Sequence, residues 1–207
     1  ADFDRGGRSV LGIRPLLWKN GWPVAGEVFK EGTYEIESER RGYALELAVD
    51  FVRMEYTRHR FWEKDDTPVV PLKSQTLEDV IETWPQGKIN VRIGDYMFRP
   101  HQKWTITAVP DGGGYLGGPY YKIVIEGTNR ALAATADAEV VTVPEFTGAP
   151  EQLWRIDQLT DGTYRIMPKE VPGTDKELVL ASVGDSTPSL GEFDMNSDNS
   201  KWNFRDH

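Results

Sequence analysis

The residues with the widest chemical range in this chain are its 33 acids and three histidines, His59, His101 and His207; there is no cysteine. The histidines stand in no metal-ligand spacing, so no metal site is expected. Without cysteine, thiol chemistry and a disulfide framework are both excluded. Cleaving a glycosidic bond takes two carboxylates placed across a sugar ring. None of the acids here lies in a recognisable frame of that kind. Asp95, Glu145 and Glu192 recur at matching places along the chain, which argues for a structural role, because three equivalent catalytic centres would be odd. The run 111–118, Asp-Gly-Gly-Gly-Tyr-Leu-Gly-Gly, has the composition of a phosphate cradle. No Lys-Ser or Lys-Thr pair follows it and no helix opens there, so it reads as a flexible turn with Tyr115 in its middle. With no nucleophile elbow, metal motif or nucleotide loop, the chain is expected to be non-catalytic by itself and to use no cofactor.

Composition narrows the partners. The net charge is −9, which disfavours nucleic acid, whose phosphates require a basic face, and equally disfavours an acidic polysaccharide. A hydrophobic content of 39% with 28% charged residues is that of a globular chain rather than a disordered one. No apolar run reaches membrane-spanning length.

The elements that must position any site come from a threefold repeat. Ile93-Gly94-Asp95-Tyr96 leads to Gln102-Lys103-Trp104. Val143-Pro144-Glu145-Phe146 leads to Gln152-Leu153-Trp154, and Leu190-Gly191-Glu192-Phe193 to Ser200-Lys201-Trp202. Trp recurs at 104, 154 and 202, a spacing in the range of repeat architectures. Upstream, Gly32-Thr33-Tyr34-Glu35-Ile36, Pro119-Tyr120-Tyr121-Lys122-Ile123 and Gly162-Thr163-Tyr164-Arg165-Ile166 correspond. Each leads to a small-and-aliphatic strand: Tyr43–Leu47, Ala131–Ala134 and Leu178–Ala181. Short runs rich in branched and aromatic residues, bounded by Gly, Pro, Asn and Asp, are strand chemistry. One such unit cannot bury its apolar face alone, whereas three packed together can. Trp104, Trp154 and Trp202, with Tyr96, Phe146 and Phe193, are the expected core of the repeat.

Three units, two ending in Gln-x-Trp and the third in the variant Ser200-Lys201-Trp202, resemble the ricin-type β-trefoil, as in family 13 carbohydrate-binding modules, over residues 32–207. The resemblance implies an all-β trefoil in which the triplet Trp is core and its Gln a structural hydrogen-bonder. It also implies where sugar sites would fall. The position of the family's sugar-binding Asp carries Ala133 in the second unit, Ala181 in the third and an acid, Glu46, in the first. The position of its aromatic platform carries Gly94, Pro144 and Gly191, and the residues before the Gln position are His101, Glu151 and Asn199. The usual sites are therefore largely missing, and a surviving site is expected in the first unit, from Glu46, Arg92, His101 and Gln102. Many ricin-type modules carry disulfides; this chain departs from them.

The chain ahead of the repeats carries a second resemblance. Arg14-Pro15-Leu16-Leu17-Trp18-Lys19-Asn20-Gly21-Trp22-Pro23-Val24 reads as a hairpin about an Asn-Gly turn, with Ser9–Trp18 as its first strand. It resembles the closing stretch of the propeller in arabinanase-like enzymes of glycoside hydrolase family 43. Residues 1–26 are then the end of a propeller-like catalytic domain, and 27–207 a trefoil with units of about 27–109, 110–160 and 161–207. The first unit is long and holds an insertion at about 50–90. Thr76 can cap a helix there that Pro85 stops, with Leu77, Val80, Ile81 and Trp84 on one stripe. The insertion reads either as packing against the domain that ends at residue 26, which the apolar stripe favours, or as a binding platform using Tyr56, His59 and Trp62. Together these features imply a non-catalytic, carbohydrate-binding accessory region of an extracellular or periplasmic family 43 glycoside hydrolase. Its ligand would be a neutral plant glycan of the arabinan or arabinoxylan type, and its partner the parent's catalytic domain. The alternative is a structural trefoil that buttresses that domain and binds no glycan.

Overall fold

The computed structural model describes residues 16–19, 22–25, 28–40, 42–49, 76–115, 118–184 and 187–206. The Asn20-Gly21 turn, the strand residues before 16, and Tyr56, His59 and Trp62 lie outside the described residues. The expected hairpin is present: β1 (Leu16–Lys19) pairs antiparallel with β2 (Trp22–Ala25), Lys19 opposite Trp22.

The first unit comprises β3 (Gly32–Ser38), β4 (Ala44–Leu47), a short helix α1 (Leu77–Glu82), β5 (Ile89–Gly94) and β6 (Trp104–Tyr115). The second comprises β7 (Gly118–Ile125), β8 (Ala131–Ala134), β9 (Val140–Val143) and β10 (Trp154–Gln158). The third comprises β11 (Tyr164–Pro168), β12 (Val179–Val183), β13 (Thr187–Gly191) and β14 (Trp202–Asp206). The outer strands of the three units pair antiparallel in a closed cycle, β3 to β6, β7, β10, β11, β14 and back to β3. The inner strands form three hairpins, β4–β5, β8–β9 and β12–β13. These meet one another through the β5–β9 pairing and a Glu139–Ser189 bridge. The fold is an all-β trefoil.

The threefold pattern is carried by the tryptophans. Trp104, Trp154 and Trp202 are fully buried, and their indole N–H groups donate to the carbonyls of Leu45, Leu132 and Leu180 at 2.8, 2.9 and 2.8 Å. A buried indole needs a partner for its one donor; the same hairpin-strand carbonyl supplies it in each unit. Donor and acceptor are 59 residues apart in the first unit and 22 in each of the others, so the first unit has an excess of 37.

A second ring cluster closes the strand cycle at one end. Phe29, just ahead of β3, is buried with its ring 5.3 Å from Tyr34, 6.0 Å from Tyr121, 5.5 Å from Tyr164 and 4.5 Å from Phe204. Its amide donates to the Tyr121 hydroxyl at 2.7 Å, and that hydroxyl donates to the Phe29 carbonyl at 3.1 Å. These tyrosines, one from each unit, fill the core place expected for Tyr96, Phe146 and Phe193. The latter three are half-buried, because they sit in loops after the hairpins rather than on strands that alternate into the interior. Lys122 lies over the Phe146 ring at 5.6 Å and Arg165 over Phe193 at 5.0 Å.

The inserted helix forms as its sequence demands. Thr76 Oγ1 accepts from the Asp79 amide at 3.2 Å, while the Asp79 carboxylate accepts from the Thr76 amide at 2.9 Å, a reciprocal cap. Its apolar stripe, however, turns onto its own trefoil. Val80 and Ile81 pack on the core and Trp84 is buried. Leu77 lies against Gly127, where a Cβ would come within 2.9 Å of Leu77 Cδ2. Buried Arg130 donates to the carbonyls of Gly87 and Pro85, each at 2.7 Å, fixing the exit from the helix. The stripe, half-buried at Leu77, Val80 and Ile81, packs on the first and second units.

The glycine-rich run is not a free turn. β6 continues through it to Tyr115 and returns as β7, with a shift of register between Val109 and Gly114. A Cβ at Gly114 would lie 2.8 Å from the Gly118 carbonyl oxygen, so glycine is needed for the close approach of the two strands.

Candidate functional site

β4 and β5 place Glu46 opposite Arg92. Strand alternation sends Leu45 and Leu47 into the core and the Glu46 side chain to the other face. There Arg92 Nε donates to Glu46 Oε1 at 2.5 Å, and Arg92 Nη2 to the Val49 carbonyl at 3.2 Å. The short turn Pro100–Gln102 brings up two more of the expected residues. Gln102 Nε2 donates to Glu46 Oε2 at 2.6 Å and to the Asp95 carbonyl at 2.8 Å. His101 Nε2 lies 3.5 Å from the same carboxylate oxygen. All four residues singled out in the sequence therefore meet at one carboxylate. Burial pushes the Glu46 carboxyl up, but the bonds from His101, Arg92 and Gln102 outweigh it and hold it below the usual glutamate range.

The four differ in access to solvent. Glu46, His101 and Gln102 are buried, whereas the Arg92 side chain is 39% exposed. Glu46 thus acts as an anchor that orients Arg92, the member of the group that can meet a ligand. The Glu46 carboxylate also fills the space beside Gly94, where a Cβ would stand 3.1 Å from Glu46 Oε1. A ring at position 94 would crowd the anchor, which accounts for the absent platform there.

An exposed aromatic ring stands elsewhere, on a residue that sequence reasoning passed over. Gln102 Oε1 accepts from the Met97 amide at 2.8 Å and from the Arg99 amide at 3.4 Å, clamping the loop 95–99. Between those amides Phe98 is held at φ +56° with 75% of its surface exposed, its ring 4.8 Å from Tyr96. In the second unit Gln152 Oε1 clamps the matching loop by accepting from the Thr147 amide at 2.7 Å, and there the positive φ, +80°, falls on Gly148. Phe98 and Gly148 stand equally far beyond Tyr96 and Phe146. The loop thus asks for glycine, and the first unit puts an exposed phenylalanine in its place. A bulky residue in the left-handed region stores strain of order 1–2 kcal/mol. The sequence signal was an aromatic residue at a position that is glycine in the sister repeat.

This arrangement defines a trefoil whose first unit combines an exposed ring with a buried acid orienting a half-exposed guanidinium. Comparison with known proteins agrees on the class. Residues 100–189 match the family described as ricin-type beta-trefoil lectin domain-like. Its fold is similar to the designed threefold-symmetric protein ThreeFoil, at 20% identity and TM-score 0.54, covering 85% of this chain and 99% of that one. It is similar to a Polyporus squamosus lectin bound to a human-type influenza-binding epitope, at 16% identity and TM-score 0.55, covering 86% of this chain and 50% of the lectin. It is also similar to 1,3Gal43A, an exo-β-1,3-galactanase from Clostridium thermocellum, at 15% identity and TM-score 0.53, covering 89% of this chain. The chain spans 32% of that galactanase. No curated protein matches by sequence. Among the described residues no group of His, Asp or Glu could hold a metal ion, and no helix is long and apolar enough to cross a membrane.

Proposed function

We propose that this chain is a non-catalytic carbohydrate-binding accessory region, with its site in the first trefoil unit at Phe98 and Arg92. The observation that carries the reading is Phe98 itself: a ring kept exposed, at a backbone angle that the sister loop gives to glycine. Backbone strain of this kind persists where function uses it. Sugars are held by stacking on a ring face and by a few fixed polar groups. Phe98 supplies the ring, and Arg92, oriented by Glu46, supplies a donor for hydroxyl groups. His101 and Gln102 serve by holding Glu46 and the loop in place.

The lectin-like match and the carbohydrate-related neighbours support the reading. The leading hairpin's resemblance to the arabinanase-like propeller, together with the likeness to a galactanase, supports a family 43 glycoside hydrolase as the parent. On this reading the parent's catalytic domain is the partner, the location is extracellular or periplasmic, and the ligand is a neutral plant glycan of the arabinan or arabinoxylan type. One observation favours the alternative of a buttress that binds nothing: three of the four predicted site residues are buried and satisfied by one another. Calorimetric titration with arabinan, arabinoxylan and galactan oligosaccharides tests the two. Saturable heat lost in Arg92→Ala and Phe98→Ala supports the site. Absence of heat with every member of the panel favours the buttress.

A further inference from the structure

The rings that follow the three hairpins have different neighbours. Tyr34, Tyr121 and Tyr164 stand opposite Trp104, Trp154 and Trp202, so Glu35, Lys122 and Arg165 hold the same place in their units. In the second and third units that place puts a cation over the ring, Lys122 over Phe146 and Arg165 over Phe193. In the first unit it puts an acid near Tyr96. Burial pushes the Tyr96 hydroxyl up, and the Glu35 and Glu126 carboxylates push it further.

Glu35 is 4% exposed, and among the described residues no group donates a hydrogen bond to its carboxylate. Arg205 stands directly opposite it on β14, but Arg205 Nη2 lies 2.5 Å from Glu37 Oε2 instead. Lys103, next to Trp104 on the other side of β3, has its ammonium 3.9 Å from Glu126 Oε2. Glu37, buried on the same face of β3, brings a like charge and no donor. The charged and titratable groups around Glu35, among the described residues, are thus Glu37, Arg205, Lys103, Glu126 and Tyr96. Both cations of this group are turned to other acids. A buried carboxyl with no donor, next to a second carboxylate, favours its neutral form. Burial first and Glu37 second push Glu35 above the usual glutamate range, against a smaller pull from Arg205.

We propose that Glu35 is a proton-operated latch of the first unit. Its carboxyl takes up a proton as pH falls toward the ordinary glutamate range, and the neutral group holds β3 against β14 and the loop at Tyr96 more firmly than the carboxylate does. The cost of ionising it is absent below the unfolded pKa and complete above the folded one, so it acts in the opposite sense to Glu46. That loop also carries Phe98, but the latch does not depend on glycan binding.

The test is a carboxyl-carbon NMR titration of the full chain, with Glu35 assigned by comparison with Glu35→Gln, and denaturant melts of both proteins from neutral to acid pH. Glu35 is expected to titrate above the exposed glutamates. Glu35→Gln keeps the shape and removes the charge. It is expected to be the more stable protein at neutral pH, with an advantage that fades as pH falls. The Met97 and Arg99 amides, held by Gln102 Oε1, are expected to exchange severalfold more slowly in Glu35→Gln than in the parent at neutral pH, and equally at acid pH. Titration of Glu35 with or below the exposed glutamates would overturn the proposal. So would a Glu35→Gln protein no more stable than the parent at neutral pH, a stability gap that does not change with pH, or equal exchange of the loop amides at neutral pH.

Discussion

Replacing Phe98 by glycine should separate stability from binding. The native φ of +56° strains any residue with a Cβ, by order 1–2 kcal/mol. Glycine relieves that strain but enlarges the entropy of the unfolded chain by about 0.5–1 kcal/mol. The ring is 75% exposed, so little burial is lost with it. Its contact with Tyr96, centroids 4.8 Å apart, is worth about 0.5–1.5 kcal/mol. Gain and losses nearly cancel, and the unfolding free energy of Phe98→Gly should lie within about 1 kcal/mol of the parent. Phe98→Ala keeps the strain while losing the ring, so it should be the less stable of the two. Glycan affinity should fall about tenfold in both, as a stacking platform is removed. Denaturant melts paired with calorimetric titration of the three proteins measure every term. A loss above about 2 kcal/mol in Phe98→Gly would show that the ring serves the fold, and unaltered affinity would show that it does not serve the ligand.

Other consequences concern the anchor and the scaffold. Glu46→Gln should be destabilising near neutral pH. Because the folded-state pKa of Glu46 is lowered from 4.5, its contribution is fully present above the unfolded value and is lost as pH falls through the folded one. The stability gap between parent and Glu46→Gln should therefore narrow as pH falls below the ordinary glutamate range in denaturant melts, and a constant gap would refute the ionised anchor. Gly127→Ala must adopt φ +73° and meet Leu77 at 2.9 Å, so it should cost roughly 1–3 kcal/mol and raise hydrogen exchange across α1. Trp154→Ala should cost about 3–5 kcal/mol in the same melts, since it empties a core site and leaves the Leu132 carbonyl without its donor.

Much of this fold is legible in the chain because its units repeat. The Gln-x-Trp and Ser-x-Trp triplets mark where the last strand of each unit begins, and the capping Thr76 and stopping Pro85 mark the helix. Other features depend on contacts that no local pattern records. Which aromatic rings enter the core depends on strand alternation against neighbours distant in sequence, so Tyr34, Tyr121 and Tyr164 take the place expected for Tyr96, Phe146 and Phe193. Phe29 is recognisable only once three units surround it. The helical stripe showed that α1 would be covered but not by what; Gly127 and Arg130, some 45 residues away in sequence, decide that. The grouping of Glu46, Arg92, His101 and Gln102 is implied by the trefoil-lectin resemblance, carried onto the first unit position by position. Phe98 escaped because its meaning lies in a backbone angle, and that angle becomes visible only beside Gly148 of the second unit.

On the proposed reading the first unit binds a neutral glycan through Phe98 and Arg92. Its most direct measurement is the calorimetric titration of the unmodified chain and of Arg92→Ala with arabino-, arabinoxylo- and galacto-oligosaccharides. Saturable heat is expected with at least one of these sugars in the parent chain, at one site per chain, and about a tenfold weaker association without the Arg92 guanidinium. No heat with any of these sugars, or identical heat in the two proteins, would contradict it.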